Sequence, residues 1–156
     1  MAFAIGNPGV LLTIISAGLA CGTLDIIAAF VVYGQFGRPP LRLLQGIAAG
    51  VLGKRAFEGG MATAWFGLFC HYFIAFSAAT VYFTASRSIA FALEHAVISG
   101  AAYGVIVYFF MNRIVVPLSG TIKLPFSFKM MVIGIVIHIF CVGLPIAIVV
   151  ERFSMN

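Results

Sequence analysis

The stretch Met61–Ala85, MATAWFGLFCHYFIAFSAATVYFTA, contains no Asp, Glu, Lys or Arg. About 20 apolar residues are enough to cross the hydrocarbon core of a bilayer, so this stretch predicts a transmembrane helix. Three further apolar stretches are long enough to span, at about 9–33, 96–118 and 129–150. The spans and their loops use the whole chain. The sequence therefore predicts one all-α domain over 1–156, a four-helix transmembrane bundle.

The composition supports a membrane location. Hydrophobic residues make up 63% of the 156-residue chain and charged residues 8%, whereas a soluble domain has roughly 25% charged residues. The net charge is +5, and in a membrane protein such an excess indicates topology and contact with lipid headgroups. The lipid bilayer is the expected partner. No basic run with interleaved aromatic residues predicts nucleic-acid binding. Association with a second copy or a larger membrane complex is left open.

The connection between the first two spans is too long for a tight turn. It begins with Arg38-Pro39-Pro40, and apolar residues then recur at helical spacing. This pattern predicts a short amphipathic helix over about 41–53 that lies in the membrane interface. Three glycines in the same segment also permit a re-entrant helix. Four basic residues are expected to contact the membrane surface: Arg38, Arg42, Lys54 and Arg55.

The distribution of Lys and Arg predicts the orientation. Two basic residues, Arg87 and Arg152, belong to the side of the second loop. Seven belong to the side of the first and third loops: Arg38, Arg42, Lys54, Arg55, Arg113, Lys123 and Lys129. Because cytoplasmic loops are enriched in Lys and Arg, we expect the first and third loops to be cytoplasmic. Both termini are then on the outer, periplasmic side.

Each span contains one strongly polar residue on a face of small residues. These are Asp25, His71, Asn112 and His138. Small residues let transmembrane helices pack closely, and a polar residue in hydrocarbon is costly unless it faces the bundle interior. With alternate helices reversed, all four reach a similar depth. The sequence predicts that they converge in a polar core, with at least two hydrogen-bonded pairs. Cys21, Gln45, Tyr108 and Cys141 are predicted to surround this core.

Several chemistries could use such a core. Asp and His can relay protons or admit ions. Asp25, His71 and His138 could instead form a set of two imidazoles and one carboxylate for a transition metal, and the two histidines could hold a haem. The core could also serve only to hold the helices together. Pro117 and Pro145 are expected to distort their helices near the site.

No nucleophile or phosphate-binding motif is present, so the leading hypothesis is not an enzyme. It is a membrane protein of unknown activity with a buried polar core, as in a small proton- or ion-permeation element. The alternatives are a redox protein that binds haem or a metal, and an accessory subunit of a larger complex.

Several segments resemble a known group of proteins. Gly67–Phe76, Leu24-Asp25-Ile26, Leu44–Ala48 and the run from Tyr108 to Asn112 resemble small, functionally uncharacterised bacterial inner-membrane proteins with four helices. A more distant likeness to the YagU-type inner-membrane proteins involves His71, Pro117-Leu118 and His138. The resemblance implies a bacterial inner-membrane location. It also implies a polar core matching Asp25, Gln45, His71, Asn112 and His138, and it brings no established reaction.

Overall fold

A computed structural model describes residues 8–121 and 126–155. Within these residues every regular element is a helix, and four of the helices are long and apolar enough to cross a membrane. The chain is thus a multi-pass membrane protein with an all-α four-helix bundle, as predicted. The predicted domain also includes residues 1–7, 122–125 and 156, among them Lys123, which lie outside the described residues.

Six helices, α1 to α6, follow one another in the described part of the chain. The helix α1 is Pro8–Gly34, α2 is Pro40–Leu52, α3 is Gly60–Ser86 and the short α4 is Ala90–Glu94. The helix α5 is Ala96–Leu118, and α6 comprises Phe128–Ile137, His138–Gly143 and Leu144–Met155 without a break. A 3₁₀ turn at Gly53–Phe57 joins α2 to α3. The four spans are α1, α3, α5 and α6.

Contacts at the two ends show that successive spans are antiparallel. At one end, the amide of Gly120, after α5, donates to the carbonyl of Gly50 in α2 at 2.9 Å, and the ammonium of Lys129 lies 6.0 Å from the Phe36 ring. We call this the first-loop end. At the other, second-loop end, the guanidinium of Arg87 bonds the hydroxyl of Ser154.

The spans α5 and α6 pack with their backbones in direct contact. A Cβ atom added at Gly143 would lie 2.5 Å from the amide nitrogen of Gly104 and 2.8 Å from its Cα. A Cβ added at Gly100 would lie 3.0 Å from the carbonyl oxygen of Gly143. The two backbones therefore touch at a glycine crossing formed by Gly100, Gly104 and Gly143. This is how small residues let helices associate in lipid.

The other seams between spans use side chains. The rings of Phe76 and Tyr72 in α3 lie against Gly18 and Gly22 of α1. Between α3 and α5, the hydroxyl of Tyr103 donates to the carbonyl of Ala78 at 2.7 Å. The spans α3 and α5 are thus joined across a wider gap than α5 and α6.

The apolar core fills the half of the bundle near the second-loop end. There α1 also packs against α6. Fully buried members of this core include Ala17, Ala79, Ile146, Ala147 and Val150. These residues form a packed apolar core in this half of the bundle.

The helix α2 forms where it was predicted, and it is anchored on both sides. Ala48 and Ala49 are fully buried, and the absence of a side chain at Gly67 lets the backbone of Leu44 approach α3. On its other side, the hydroxyl of Thr121 donates to the carbonyl of Gly46 at 3.2 Å. Its position relative to the lipid headgroups stays a prediction.

The last two spans, α5 and α6, each contain a π-helical turn before a proline. The turns are Met111–Val115, before Pro117, and His138–Gly143, before Pro145. The amide of Leu144, for example, donates to the carbonyl of Ile139, five residues back. Proline lacks an N–H and its ring clashes with the carbonyl four residues earlier, and a widened turn accommodates it. The predicted distortion at both prolines is therefore present.

Candidate functional site

A cavity of about 310 Å³ that is partly open to the surface lies between the helices, in the half of the bundle toward the first-loop end. All four spans and α2 contribute to its wall. Three of the predicted polar residues line it, namely Asp25, His71 and His138. Most of the remaining lining is apolar and includes Ile47, Ile74, Val107, Met111, Ile137 and Val142. Small-molecule sites in proteins have this character, with mostly apolar walls and a few polar groups.

His71 connects α3 to α1. Its Nε2 atom lies 2.8 Å from the carbonyl oxygen of Gly22. Because a carbonyl oxygen can only accept a hydrogen bond, Nε2 carries the proton and donates. The Nδ1 atom has no hydrogen-bond partner among the described residues, so in the neutral ring it is a free acceptor on a residue of the cavity wall.

His138 is oriented in the opposite sense. It is the first residue of the π-helical turn in α6, and its Nδ1 atom lies 2.9 Å from the carbonyl oxygen of Gly134. By the same argument Nδ1 donates, and Nε2 is left without a partner among residues 8–121 and 126–155. The ring of Tyr108 packs edge-on against the imidazole, with 5.4 Å between ring centroids. The hydrogen bond and this ring contact hold the imidazole in place.

Asp25 contributes the negative group. Its side chain is half-buried and lines the cavity. It makes no hydrogen bond or ion pair with the part of the chain that the structure describes. Among the described residues that line the cavity there is also no Lys or Arg. The carboxylate therefore faces the cavity without a neutralising partner.

The prediction for Asn112 is wrong. This residue is exposed and lies outside the cavity, and its amide nitrogen donates to the carbonyl of Tyr108 on the same helix at 2.9 Å. Positions four residues apart on an α-helix are displaced by ~40° around the axis at each step, since the helix has ~3.6 residues per turn. Three such steps, from Gly100 to Asn112, carry the last residue about a third of a turn off the packing face.

The predicted hydrogen-bonded polar core is also wrong. In the described part of the chain no hydrogen bond joins Asp25, His71 and His138 to one another, and the three side chains are half-buried around the cavity rather than packed together. The small-residue faces predicted the right direction for these side chains. They did not predict how far apart the helix axes lie, and that distance decides whether side chains touch or enclose a cavity.

The predicted metal ligands do not form a ligand set. Within the described residues, no three His, Cys, Asp or Glu side chains are close enough to hold a metal ion. The set of Asp25, His71 and His138 is therefore wrong as a metal centre. Each of these residues comes from a different helix, so a set would require all three helix axes to approach closely at one depth. Haem ligation by the two histidines stays a hypothesis.

The four residues predicted around the core have different roles. Cys21 is buried, lines the cavity and points its sulfur at the carbonyl of Gly18, 3.5 Å away. Tyr108 supports the His138 ring. Cys141 is half-buried and is not part of the cavity wall. Gln45 is fully buried away from the cavity, and its amide nitrogen donates to the carbonyl of Gly60 at 3.0 Å. It fastens α2 to the start of α3.

The four basic residues of the first connection lie at the surface. All four are exposed. The Arg42 guanidinium donates to the carbonyl of Phe57 at 3.1 Å and to the side-chain oxygen of Gln45 at 3.2 Å, and that of Arg38 lies 5.9 Å from the Tyr33 ring. Their contact with lipid headgroups, and that of Lys54 and Arg55, stays a prediction.

Several residues of the cavity wall were not predicted from the sequence. Tyr33 and Met111 line it, and so does Ile47 from α2. Tyr33 lies eight residues after Asp25, on the same face of α1, so the helical period could have identified it. The sequence predicted that Gln45 of α2 lies beside the polar core, whereas in the structure it is Ile47 of the same helix that lines the cavity.

The arrangement offers an unpaired carboxylate and two imidazoles, each with one free ring nitrogen, to whatever enters the cavity. These groups can accept a proton, or they can bind a cation that donates hydrogen bonds. The chain matches no protein-family model, no curated protein and no solved structure.

Proposed function

We propose that the protein is a small carrier that takes a proton or a small cation into its cavity within the bacterial inner membrane. One observation carries this proposal: the carboxylate of Asp25 lines the cavity together with His71 and His138, and no Lys or Arg of the described wall neutralises it. Ionisable groups inside a membrane mark proton and ion pathways.

A carrier explains the two halves of the bundle better than an open pore. The cavity lies toward the first-loop end, whereas buried residues such as Ile146 and Val150 fill the other half. An open pore would need a passage through that core. A carrier needs only a second conformation in which the accessible side changes.

The proposed location rests on sequence features. The resemblance to small bacterial inner-membrane proteins supports the bacterial inner membrane. The excess of Lys and Arg near the first and third loops supports a cytoplasmic first-loop end and periplasmic termini. On this orientation the cavity lies toward the cytoplasm.

The test is proton movement in proteoliposomes. Purified protein is reconstituted in vesicles that contain a pH-sensitive dye, and a potassium gradient with valinomycin sets the membrane potential. We expect potential-driven acidification that Asp25→Asn reduces at least tenfold, because the amide retains the size of the side chain but cannot bind a proton. Asn112→Ala is the matched control, since Asn112 lies in a neighbouring span but outside the cavity.

Two results would overturn the proposal. One is an absence of both proton movement and movement of small monovalent cations in vesicles that contain correctly folded protein. The other is equal flux in wild type and Asp25→Asn. Circular dichroism of each variant in the same vesicles verifies that the helices are intact.

A further inference from the structure

We propose that the cavity binds a small organic ammonium ion, with a protonated amine at one end and an apolar body. The inference rests on the proposed function, because it names the cation for the same cavity. It comes from the charge of the wall, the hydrogen-bonding character of its polar groups and the apolar remainder of the lining.

The charge of the wall selects a cation. Asp25 is the acidic residue of the described wall, and no Lys or Arg accompanies it there. A carboxylate removed from water is costly unless a positive charge or hydrogen-bond donors compensate it. A ligand with an ammonium group would supply both, whereas an anionic ligand would add a second uncompensated negative charge.

The imidazoles select a hydrogen-bond donor. The proton of His71 is on Nε2, which donates to Gly22, and the proton of His138 is on Nδ1, which donates to Gly134. The remaining ring nitrogens, Nδ1 of His71 and Nε2 of His138, are acceptors in the neutral rings. The residues of the wall thus carry acceptors on three helices, and a protonated primary amine carries three N–H donors.

The apolar part of the wall favours an organic ligand over a bare metal ion. Side chains such as Ile74, Val107 and Ile137 line the cavity, and they offer no ligand atoms to a metal. In the described residues the potential ligand groups also do not cluster as a metal ion requires. A volume of about 310 Å³ is at the lower end of the ~300–1,000 Å³ that small-molecule sites occupy.

The test compares three ligands of nearly the same shape by isothermal titration calorimetry. Protein in lipid nanodiscs is titrated with 2-phenylethylammonium, with neutral 2-phenylethanol and with anionic phenylacetate. We expect the ammonium compound to bind at least tenfold more tightly than the alcohol, and phenylacetate to give no binding heat. Asp25→Asn should remove this preference for the ammonium compound, while Asn112→Ala should retain it.

The comparison of Asp25→Asn with wild type corrects for partition of the amine into lipid, because both nanodisc samples contain the same bilayer. Equal heats for the two proteins, or tighter binding of phenylacetate than of the ammonium compound, would overturn the inference. If Asp25→Asn loses its helical structure, His138→Phe takes its place in the test. This variant removes one acceptor at the cavity and should weaken amine binding at least threefold.

Failure of this inference is distinguishable from failure of the proposed function. Asp25-dependent proton movement without selective amine binding would refute the inference of an ammonium ligand. It would leave the proposal of a proton carrier standing. An absence of Asp25-dependent flux of protons, inorganic cations and 2-phenylethylammonium would reject the carrier itself, whatever the calorimetry shows.

Discussion

At the scale of single residues, the two histidines of the cavity are held in opposite tautomers. His71 donates through Nε2 to another helix, and His138 donates through Nδ1 to its own helix. The hydrogen bonds of an imidazole decide which of its two nitrogens carries the proton. Here the nitrogen that faces a carbonyl oxygen must carry it. Both backbone acceptors are carbonyl oxygens, so neither assignment can be reversed without loss of a hydrogen bond.

Nitrogen-15 NMR of protein with labelled histidine should show this difference. At a pH where both rings are neutral, we expect His71 to give the Nε2–H pattern of ring shifts and His138 the Nδ1–H pattern. His71→Gln and His138→Gln assign the two signals. His95, which is exposed, serves as the reference ring. Identical patterns for His71 and His138 would contradict the geometry.

Gln45 provides the second prediction at this scale. It is fully buried, donates to the carbonyl of Gly60 and accepts from Arg42. Gln45→Leu retains the volume but leaves these groups without their partner, so the free energy of unfolding should fall by about 1–3 kcal/mol. Titration with SDS in mixed micelles, followed by circular dichroism, measures this change. The control is Gln35→Leu, at an exposed position, and an equal loss there would refute the role of Gln45.

At the scale of helical elements, the glycine crossing between α5 and α6 is a direct contact of two backbones. Gly143→Ala would place a Cβ against the backbone of Gly104, where no flexible side chain can move aside. Overpacking of this kind costs about 1–3 kcal/mol, so the variant should unfold at a lower SDS fraction than wild type.

Gly46→Ala is the matched control for the crossing. A Cβ at Gly46 meets nothing within 4 Å, and Gly inside a helix is less favourable than Ala by roughly 0.5–1 kcal/mol. This variant should be as stable as wild type or slightly more stable. If Gly143→Ala were as stable as Gly46→Ala, the direct contact of the α5 and α6 backbones would be refuted.

The sequence predicted the elements better than it predicted the site. The four spans, α2 and the distortions at Pro117 and Pro145 all follow from local composition and periodicity. Asn112 was misplaced because a face defined by steps of four residues rotates along the helix. The cavity was missed because its presence depends on the distances between helix axes, which residues on one helix do not encode.

At the scale of the whole molecule, the bundle has two unlike ends. The first-loop end carries α2, the cavity and most of the described basic residues, whereas the second-loop end is closed by the apolar core. From the positive-inside rule we predict that the first-loop end faces the cytoplasm. Reporter fusions test this orientation directly.

A reporter placed after Asn156 should be active in the periplasm, and one inserted within residues 119–124 should be active in the cytoplasm. The paired reporters are alkaline phosphatase, active outside, and a fluorescent protein, active inside. Activity of both insertions in the same compartment would contradict four spans. Exchange of the two compartments would contradict the proposed orientation but not the bundle.

The contact between α1 and α6 has a consequence for synthesis of the protein at the ribosome. The first span packs against the last one, whereas α5 and α6 are neighbours in the chain and meet directly at their glycines. The α5–α6 hairpin can therefore associate as soon as it leaves the translocon. The first helix also packs against α3, and its contacts with α6 can form only after α6 has been synthesised.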